Sequence, residues 1–400
     1  TPDNDTTPSY TFFSTLPGTI TYGVCSGSPD NASADNNTIT FDALADGTYS
    51  NCTLRVTNSG NTSDNLSVSS FTIDTTAPTL AETTAVPTPR SITTPSYTFR
   101  SDEAGTITYG GSCSSSTSAA TADNNTITFN TLSGGVGTTY SNCTIRVTDN
   151  ASNQSSALPV SSFTIDTTAP TLAVVTAVTT PTSDNTSSYT FSSNEAGNIT
   201  YGGSCSSSDN SSSADNNTIT FNALPDGTYS NCTIRVSDNA SNTSSPLSVT
   251  QFIIDTTAPT VEVVTPVPTP GNDTTPRYIF SSTETGDITY GGSCSSSDNS
   301  SSVGDNTIDF NTLDAGSYSN CTITVTDNAG NTSSPPLQVN TFIIDTTAPT
   351  VSSTSPTDNQ SSVSVSDNIS VTFSESMDNT SVTTNTSDTN CSGSLQLSSD

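Results

Sequence analysis

The side chains of this sequence that could carry chemistry are carboxylates and cysteines, because the 400 residues contain no histidine and only six lysines or arginines. One carboxylate recurs in a fixed phrase, FTIDTTAPT or FIIDTTAPT, that closes four successive units: its aspartates are Asp74, Asp166, Asp255 and Asp345. Loop-like segments usually vary between copies more than strands do. The constancy of this one indicates that its aspartate, or its conformation, is constrained.

Cysteines recur with the same period as the phrase. Each unit holds one pair, without the CxxC spacing or the histidines of a zinc site, which favours disulfides over metal binding and leaves free buried thiols as the alternative. We predict one bond within each unit: Cys25–Cys52, Cys113–Cys143, Cys205–Cys232 and Cys294–Cys321. Cys391 would then have no partner within this sequence. Disulfides place the chain outside the reducing cytosol, in an extracellular or periplasmic compartment.

Short runs of alternating apolar residues predict β-strands. In the third unit these runs are SYTFSS, NITYGGSC, NTITFNAL and NCTIRVSD, flanked by LAVVTAV and PLSVTQFIID. Turn sequences such as EAGN, PDGT and DNASN separate them, and no helical period is present. Hydrophobic residues make up only 30% of the chain, a level compatible with disorder, but their ordered alternation favours an antiparallel sandwich.

Two phase slips interrupt this alternation. A tyrosine lies three residues before the second cysteine of each unit, as Tyr229 does before Cys232, so a regular strand would direct the two side chains to opposite faces. We expect a β-bulge there, or a tyrosine that caps the edge of the sandwich. The last strand slips in the same way between Val160 and Phe163, which again suggests a bulge.

The period divides the chain into a tandem array. We predict five units: residues 1–77, which lack the start of a repeat; 78–169; 170–258; 259–348; and 349–400, which begin a further module. Each complete unit is large enough for its own core, so we expect an extended array whose neighbours meet end to end. Strands of 6–8 residues give each unit a length of about 40 Å.

The phrases DGTYSNCTIRVSDNASNTS and FIIDTTAPT resemble the bacterial immunoglobulin-like (Ig-like) repeats of large surface adhesins. The resemblance covers residues 1–349, and SVSVSDNISVTFSESMDNTSV is similar to a related Ig-like module. Most such repeats lack cysteine pairs, so this chain departs from the pattern. The resemblance implies all-β tandem Ig-like sandwiches, export to the cell surface and a stalk or fibre role, without catalysis.

In an Ig-like sandwich the last strand ends at one pole, and the BC and FG turns of the next repeat lie at the facing pole. We call the aspartate of the repeated phrase the joint aspartate. In the third unit the BC turn is EAGN and the FG turn is DNASN. Each joint aspartate should therefore lie close to a glutamate in the BC turn and an aspartate in the FG turn of the next repeat. The three expected sets are Asp74 with Glu103 and Asp149, Asp166 with Glu195 and Asp238, and Asp255 with Glu284 and Asp327.

Three carboxylates without a nearby cation repel one another, and oxygen ligands of this kind suit Ca²⁺. The alternative is that the joint aspartate only caps a turn that threonine and proline stiffen. In repeat 1, Leu16 and Asn58 stand where the two turn acids should be, so we expect calcium binding to be weak or absent there. The joint at Asp345 is half-supported, because Glu375 matches the glutamate but no FG turn follows within the sequence.

A formal charge of −31 disfavours nucleic acid and anionic membranes as partners, and no apolar run is long enough to insert into a bilayer. Asparagines that precede the second cysteines, such as Asn231, lie in N-x-S/T triplets that could accept glycans or arise by chance. Without histidine no Ser/His/Asp arrangement exists, so we expect no enzyme.

We expect an extracellular or cell-surface structural segment that spaces an adhesive tip from a cell or builds a filament. Its partners would be copies of itself or other repeats of the same protein, and the ligand of the tip is not indicated. The alternative is a module that binds a glycan or a partner through its own faces.

Overall fold

The computed structural model describes residues 2–364 and 366–377, and these contain β-strands and no helix. Within those residues no helix therefore exists that could cross a membrane. The chain divides into two compact units, one of residues 1–179, 186–224 and 228–252 and the other of residues 180–185, 225–227 and 253–400. The five boundaries predicted from the sequence stay predictions.

The strands are short, and their pattern repeats from one sequence repeat to the next. Repeat 1 (1–77) contains β1 (Pro2–Asp3), β2 (Ser9–Ser14), β3 (Gly18–Tyr22), β4 (Gly27–Ser28), β5 (Asn31–Ala32), β6 (Asp35–Phe41), β7 (Gly47–Tyr49), β8 (Thr53–Asn58), β9 (Asn61–Thr62), β10 (Leu66–Ser67) and β11 (Phe71–Ile73). Repeat 2 (78–169) contains β12 (Leu80–Thr84), β13 (Ser96–Ser101), β14 (Gly105–Gly110), β15 (Ala119–Ala120), β16 (Asp123–Thr128), β17 (Thr138–Tyr140), β18 (Thr144–Asp149), β19 (Leu158–Pro159) and β20 (Phe163–Ile165).

The later repeats follow the plan of repeat 2. Repeat 3 (170–258) contains β21 (Leu172–Thr176), β22 (Ser188–Ser193), β23 (Gly197–Gly202), β24 (Ser211–Ser212), β25 (Asn216–Thr220), β26 (Gly227–Tyr229), β27 (Thr233–Asp238), β28 (Leu247–Ser248) and β29 (Phe252–Ile254). Repeat 4 (259–348) contains β30 (Val261–Thr265), β31 (Arg277–Ser282), β32 (Gly286–Gly291), β33 (Ser300–Ser301), β34 (Gly304–Asp309), β35 (Gly316–Tyr318), β36 (Thr322–Asp327), β37 (Leu337–Gln338) and β38 (Phe342–Ile344). The last segment contributes β39 (Val351–Ser355) and β40 (Ser370–Phe373).

Repeat 2 shows the architecture. The two larger sheets have the orders β12-β13-β16 and β15-β14-β18-β19, and β17 and β20 form a third, two-stranded sheet; all of these strand pairs are antiparallel. The inward faces of both sheets share one core, in which Phe99, Ile145 and Val147 are fully buried. The prediction of all-β tandem Ig-like sandwiches is confirmed.

The alternation read from the sequence explains which residues fill this core. Strand β22 covers the run SYTFSS, and its inward residues Tyr189 and Phe191 are fully buried, as are Ile234 and Val236 of β27. Side chains on a strand point alternately to opposite faces, so one face packs and the other meets solvent. Burial of large apolar side chains is the main favourable term for such small domains.

The two phase slips do not come from β-bulges, because the chain changes sheets at these places. Tyr140 ends β17, which pairs with β20, whereas Cys143 precedes β18, which pairs with β14. The last strand makes the matching change, since β19 pairs with β18 and β20 pairs with β17. Bulges lie elsewhere, in the first strand of repeats 2, 3 and 4, where the register shifts.

The tyrosine that causes the first slip closes the end of the core. Tyr140 stacks on Phe163 with ring centroids 5.3 Å apart, and its hydroxyl donates to the carbonyl of Ser133 at 3.0 Å. Phe163 in turn stacks on Phe129 at 6.1 Å. The same stacking of tyrosine on phenylalanine occurs in repeats 1, 3 and 4. In repeat 2 the tyrosine therefore packs on the core with its ring and holds the loop before its own strand with its hydroxyl.

Four disulfides join Cys25 to Cys52, Cys113 to Cys143, Cys205 to Cys232 and Cys294 to Cys321, each with a Cα–Cα distance of 5.3 Å. Each links a turn to the start of a neighbouring strand and is buried. Cys391 lies outside the described residues.

The turn that carries the first cysteine depends on a glycine and an asparagine. Gly203 has a φ of +77°, and a Cβ there would lie 2.1 Å from the backbone oxygen of Asn231. The side-chain oxygen of Asn231 accepts the N–H of Ser204 at 3.1 Å. Asn142 and Asn320 do the same in repeats 2 and 4. These N-x-S/T asparagines therefore have a structural role beside the disulfide.

Replacing Cys205 and Cys232 together by alanine in the full chain should destabilise repeat 3 selectively. The disulfide closes a loop of 27 residues, and its loss should lower the free energy of unfolding by about 3–4 kcal/mol. Pulse proteolysis in increasing urea, with the fragments mapped by mass spectrometry, measures this. The control is Cys391→Ala, which leaves the four bonds intact. Cleavage of repeat 3 at the same urea concentration as its neighbours would contradict the prediction.

Candidate metal centres at the joints

The structure brings together the three acids of each set expected from the sequence. In every set, one carboxylate oxygen of each residue lies within 4.8 Å of the others. The sets, called joint sites 1, 2 and 3 from here on, are Asp74, Glu103 and Asp149; Asp166, Glu195 and Asp238; and Asp255, Glu284 and Asp327.

Rigid elements position each acid. The joint aspartate directly follows the last strand of its repeat, as Asp166 follows β20, and the FG-turn aspartate ends a central strand, as Asp238 ends β27. The BC-turn glutamate is held by a serine two residues earlier: the hydroxyl of Ser193 donates to the carbonyl of Glu195 at 2.6 Å. Equivalent serines brace Glu103 and Glu284.

The FG-turn aspartate organises its own turn. In joint site 2, Oδ1 of Asp238 accepts the N–H groups of Ala240 and Asn242, both at 2.8 Å, and Oδ2 accepts the side-chain amide of Asn242 at 2.9 Å. Asp238 is 8% exposed, so these bonds compensate for burying its charge. Asp149 and Asp327 have the same partners.

One residue that the sequence analysis missed connects the repeats. The side-chain amide of Asn242 also donates to the backbone carbonyl of Asp166 at 2.9 Å, across the joint. Asn153 donates to Asp74 at 2.8 Å and Asn331 donates to Asp255 at 2.7 Å. The recurrence of asparagine four residues after the turn aspartate was the available signal.

The turn interpretation of the joint aspartate also matches the geometry. Oδ1 of Asp166 accepts the N–H of Thr168 at 3.0 Å, and the same bond occurs at Asp74, Asp255 and Asp345. This capping bond therefore exists at all four joints, whereas a set of three acids exists at three. Turn capping and metal binding are compatible, because a carboxylate has two oxygens.

The glutamate of each joint site has a raised pKa. Burial raises the pKa of Glu195, and the nearby charges of Asp166 and Asp238 raise it further. The pKa values of Glu103 and Glu284 are raised by the same causes in the same order. Both salt bridges found within residues 2–364 and 366–377 lie elsewhere, at Arg100 and Arg277. The carboxylates at these sites therefore have no basic partner to offset their repulsion.

The donor set fits a hard cation. Oxygens within 4.8 Å of one another can surround one Ca²⁺, whose ligands lie about 2.4 Å from the ion. Carboxylates alone supply three ligands, and Ca²⁺ takes six to eight oxygens, which waters and carbonyls can complete. That these residues bind calcium stays a prediction.

The two exceptions named from the sequence have a local structural account. In repeat 1, Asn58 uses its side-chain amide to donate to the carbonyl of Pro17 at 2.5 Å, and Leu16 is exposed. No set of three acids forms there or around Asp345 within the described part of the chain.

Comparisons with known proteins bear on the fold. A family described as a bacterial Ig-like domain matches residues 345–398, which overlap the segment interpreted above as a further Ig-like module. No curated protein matches the chain.

Solved structures give distant likenesses. The chain is similar to invasin, a bacterial integrin-binding protein, at 12% identity with a TM-score of 0.32, over 86% of this chain and 77% of that one. It is also similar to FdeC, an adhesin of Escherichia coli, at 12% identity with a TM-score of 0.31, over 66% of this chain and 96% of that one. At these TM-scores neither likeness carries an argument about what this chain binds.

Acidification in the presence of a chelator should stabilise the joints. A carboxyl group whose folded pKa is raised contributes most stability below its unfolded pKa, about 4.3 for glutamate, and loses that contribution as the pH rises through the folded value. The thermal midpoint should therefore rise as the pH falls from 7 towards about 4.5.

The control is the triple variant Glu103→Gln, Glu195→Gln and Glu284→Gln, whose midpoint should change less over the same interval. Calorimetry of both proteins at matched ionic strength measures the difference. A wild-type midpoint that falls steadily on acidification, or parallel curves for the two proteins, would show that the three glutamates are not under charge repulsion.

Proposed function

We propose that this chain is a structural segment of a bacterial adhesin-type protein at the cell surface or outside the cell. Its disulfide-closed Ig-like repeats would space an adhesive end from the cell or build an extracellular filament. Calcium at joint sites 1, 2 and 3 would stiffen the connections between repeats.

The observation that carries this proposal is that the same contact recurs between successive repeats. At three joints the FG-turn asparagine donates to the carbonyl of the preceding joint aspartate, and the same three acids meet beside it. A repeated docking geometry is what a spacer needs, because each added unit then advances in the same way. A protein that works through one binding face has no need to repeat its joints.

Calcium has a specific role in this proposal. Without a cation, the three carboxylates of a joint site repel one another, and two of them belong to the repeat after the joint while one belongs to the linker before it. A bound ion would turn this repulsion into a bridge between the repeats. The chain's own residues would supply the ligands, and the capping bonds to each joint and FG-turn aspartate would hold two of them in place.

The setting and partners follow from the composition. Buried disulfides suit an oxidising compartment, and the net charge of −31 disfavours nucleic acid. Other repeats of the same protein, or further copies, are the proposed partners, and neither membrane insertion nor catalysis is part of the proposal. The second candidate, a glycan- or protein-binding module, is favoured by a pair of exposed valines that recurs on equivalent strands, Val174 and Val175 on β21 and Val263 and Val264 on β30.

Calcium should reduce the flexibility of the full chain. Small-angle scattering in calcium should show larger and better-defined maximum dimensions than in a chelator, because neutralised joints resist bending. Titration calorimetry should detect three sites per chain, and magnesium at equal ionic strength serves as the control for general screening.

The variant that separates the sites from the rest of the acidic surface is the triple glutamine variant described above. It should lose most of the calcium response in scattering. Its matched control is Glu262→Gln, an exposed glutamate on β30, which should respond as the wild type does. Identical dimensions with calcium and with chelator would reject the calcium-stiffened spacer and leave the joint phrase as a turn only.

A further inference from the structure

The loop before β7 of repeat 1 holds the linker that leaves the same repeat. This EF loop, residues 44–47, presents Asp46 to the two threonines of the joint phrase. Oδ1 of Asp46 accepts the N–H of Thr75 at 3.0 Å and its hydroxyl at 2.7 Å, and Oδ2 accepts the hydroxyl of Thr76 at 2.9 Å. We call this set of three bonds the EF clamp.

Repeat 3 has the same clamp. Oδ1 of Asp226 accepts the N–H of Thr256 at 2.9 Å and its hydroxyl at 2.7 Å, and Oδ2 accepts the hydroxyl of Thr257 at 2.8 Å. Bonds to the threonines lower the pKa of both aspartates, so the charged form is the one that the clamp uses. All three distances agree closely with those in repeat 1, so the two clamps share one geometry.

Repeats 2 and 4 lack the clamp. The EF loop of repeat 2 is longer and rich in glycine, and Thr167 makes one bond to it, from its N–H to the carbonyl of Gly135 at 3.3 Å. In repeat 4, Ala315 stands where Asp46 and Asp226 stand, one residue before the glycine that begins the strand. The linkers themselves do not differ, because all four read Asp-Thr-Thr-Ala-Pro-Thr.

The clamp restrains the first two threonines of the linker, so it determines which linker residues are free to rotate. Charge-assisted hydrogen bonds are stronger than bonds between neutral groups, and three of them fix the first two threonines to the repeat that precedes them. The next residues are alanine and a proline whose φ is restricted, so a clamped linker keeps little rotational freedom. An unclamped linker keeps the capping bond of its joint aspartate but lacks these three bonds, so it is less restrained from its first threonine onwards.

We propose that the joints fall into two mechanical classes: those after repeats 1 and 3 are clamped by Asp46 and Asp226, and those after repeats 2 and 4 are compliant. Bending is then concentrated at every second joint. This difference is built into the EF loops and exists without any metal, so it is separate from the calcium proposal above.

Amide hydrogen exchange of the full chain in chelator tests the proposal. Identical linker sequences give the corresponding amides the same intrinsic exchange rate, so any difference reports local structure. The N–H groups of Thr75 and Thr256 should exchange roughly tenfold more slowly than that of Thr346, with Thr167 between them. Electron-transfer fragmentation of peptic peptides gives the required single-residue resolution.

A reciprocal pair of substitutions makes the test specific. Asp226→Ala should accelerate exchange at Thr256 roughly tenfold, and Ala315→Asp should slow exchange at Thr346 by a similar factor. Core-strand amides should be unchanged and so report that the substituted repeat is folded: Ile234 and Val236 of repeat 3 for Asp226→Ala, and Ile323 and Val325 of repeat 4 for Ala315→Asp.

Equal exchange at the four linkers, or no response of Thr256 to Asp226→Ala while the core amides stay protected, would overturn the proposal. If Asp226→Ala unfolds repeat 3, the variant Ala315→Asp still tests the proposal. Unchanged exchange at Thr346 in that variant would also overturn the proposal. Failure of calcium binding in the earlier experiment leaves these outcomes unaffected, because chelator is present throughout.

Discussion

In repeats 2, 3 and 4, both the FG turn and the joint depend on the hydrogen bonds of the buried aspartate that begins the turn. Asp238 uses one carboxylate oxygen to close its own turn and the other to orient Asn242, and Asn242 then contacts the carbonyl of Asp166 in the preceding linker. One buried charge thus determines the local backbone, the contact between repeats and the position of an acid in a joint site. Burying it costs free energy, which three hydrogen bonds offset.

The fold could be predicted because each repeat obeys the simplest rule of sheet structure. Alternation identified the inward side chains of β22 and β27 correctly, since burial on one face leaves little freedom of register. The sheet change at Tyr140 could not be predicted. A tyrosine three residues before a cysteine breaks a period of two whether the strand bulges or divides, and only pairing with β20 on one side and β14 on the other decides between these possibilities.

The acids of the candidate sites could be predicted from the sequence, but two of the residues that bond the linkers could not. The acids could be assigned from repeat topology, because the last strand of one repeat must lead to the turns of the next. Asn242 and Asp226 could not be, since each acts through a hydrogen bond to a residue 30 or more positions away, and asparagine and aspartate are equally common in turns that bind nothing beyond themselves. The signal was present only as a comparison among repeats: the EF loops vary between carboxylate, glycine and alanine while the linker opposite them stays constant.

Charge composition limits how such a chain can hold its repeats together. All six basic residues are arginines, and two of them, Arg146 and Arg235, donate to carbonyls of the FG loop, Ser155 and Ser244, instead of pairing with acids. Salt bridges are therefore scarce, and exposed ones contribute little in any case. Cohesion within a repeat relies on the core and the disulfide, while the hydrogen bond between repeats runs from the FG-turn asparagine to the carbonyl of the joint aspartate. A carboxylate with good donors, as in the EF clamp, stabilises the linker directly, whereas three carboxylates with too few donors, as in the joint sites, need a proton or a cation. The same residue type thus gives an unconditional contact where donors suffice and a conditional one where they do not, and the joints after repeats 1 and 3 contain both.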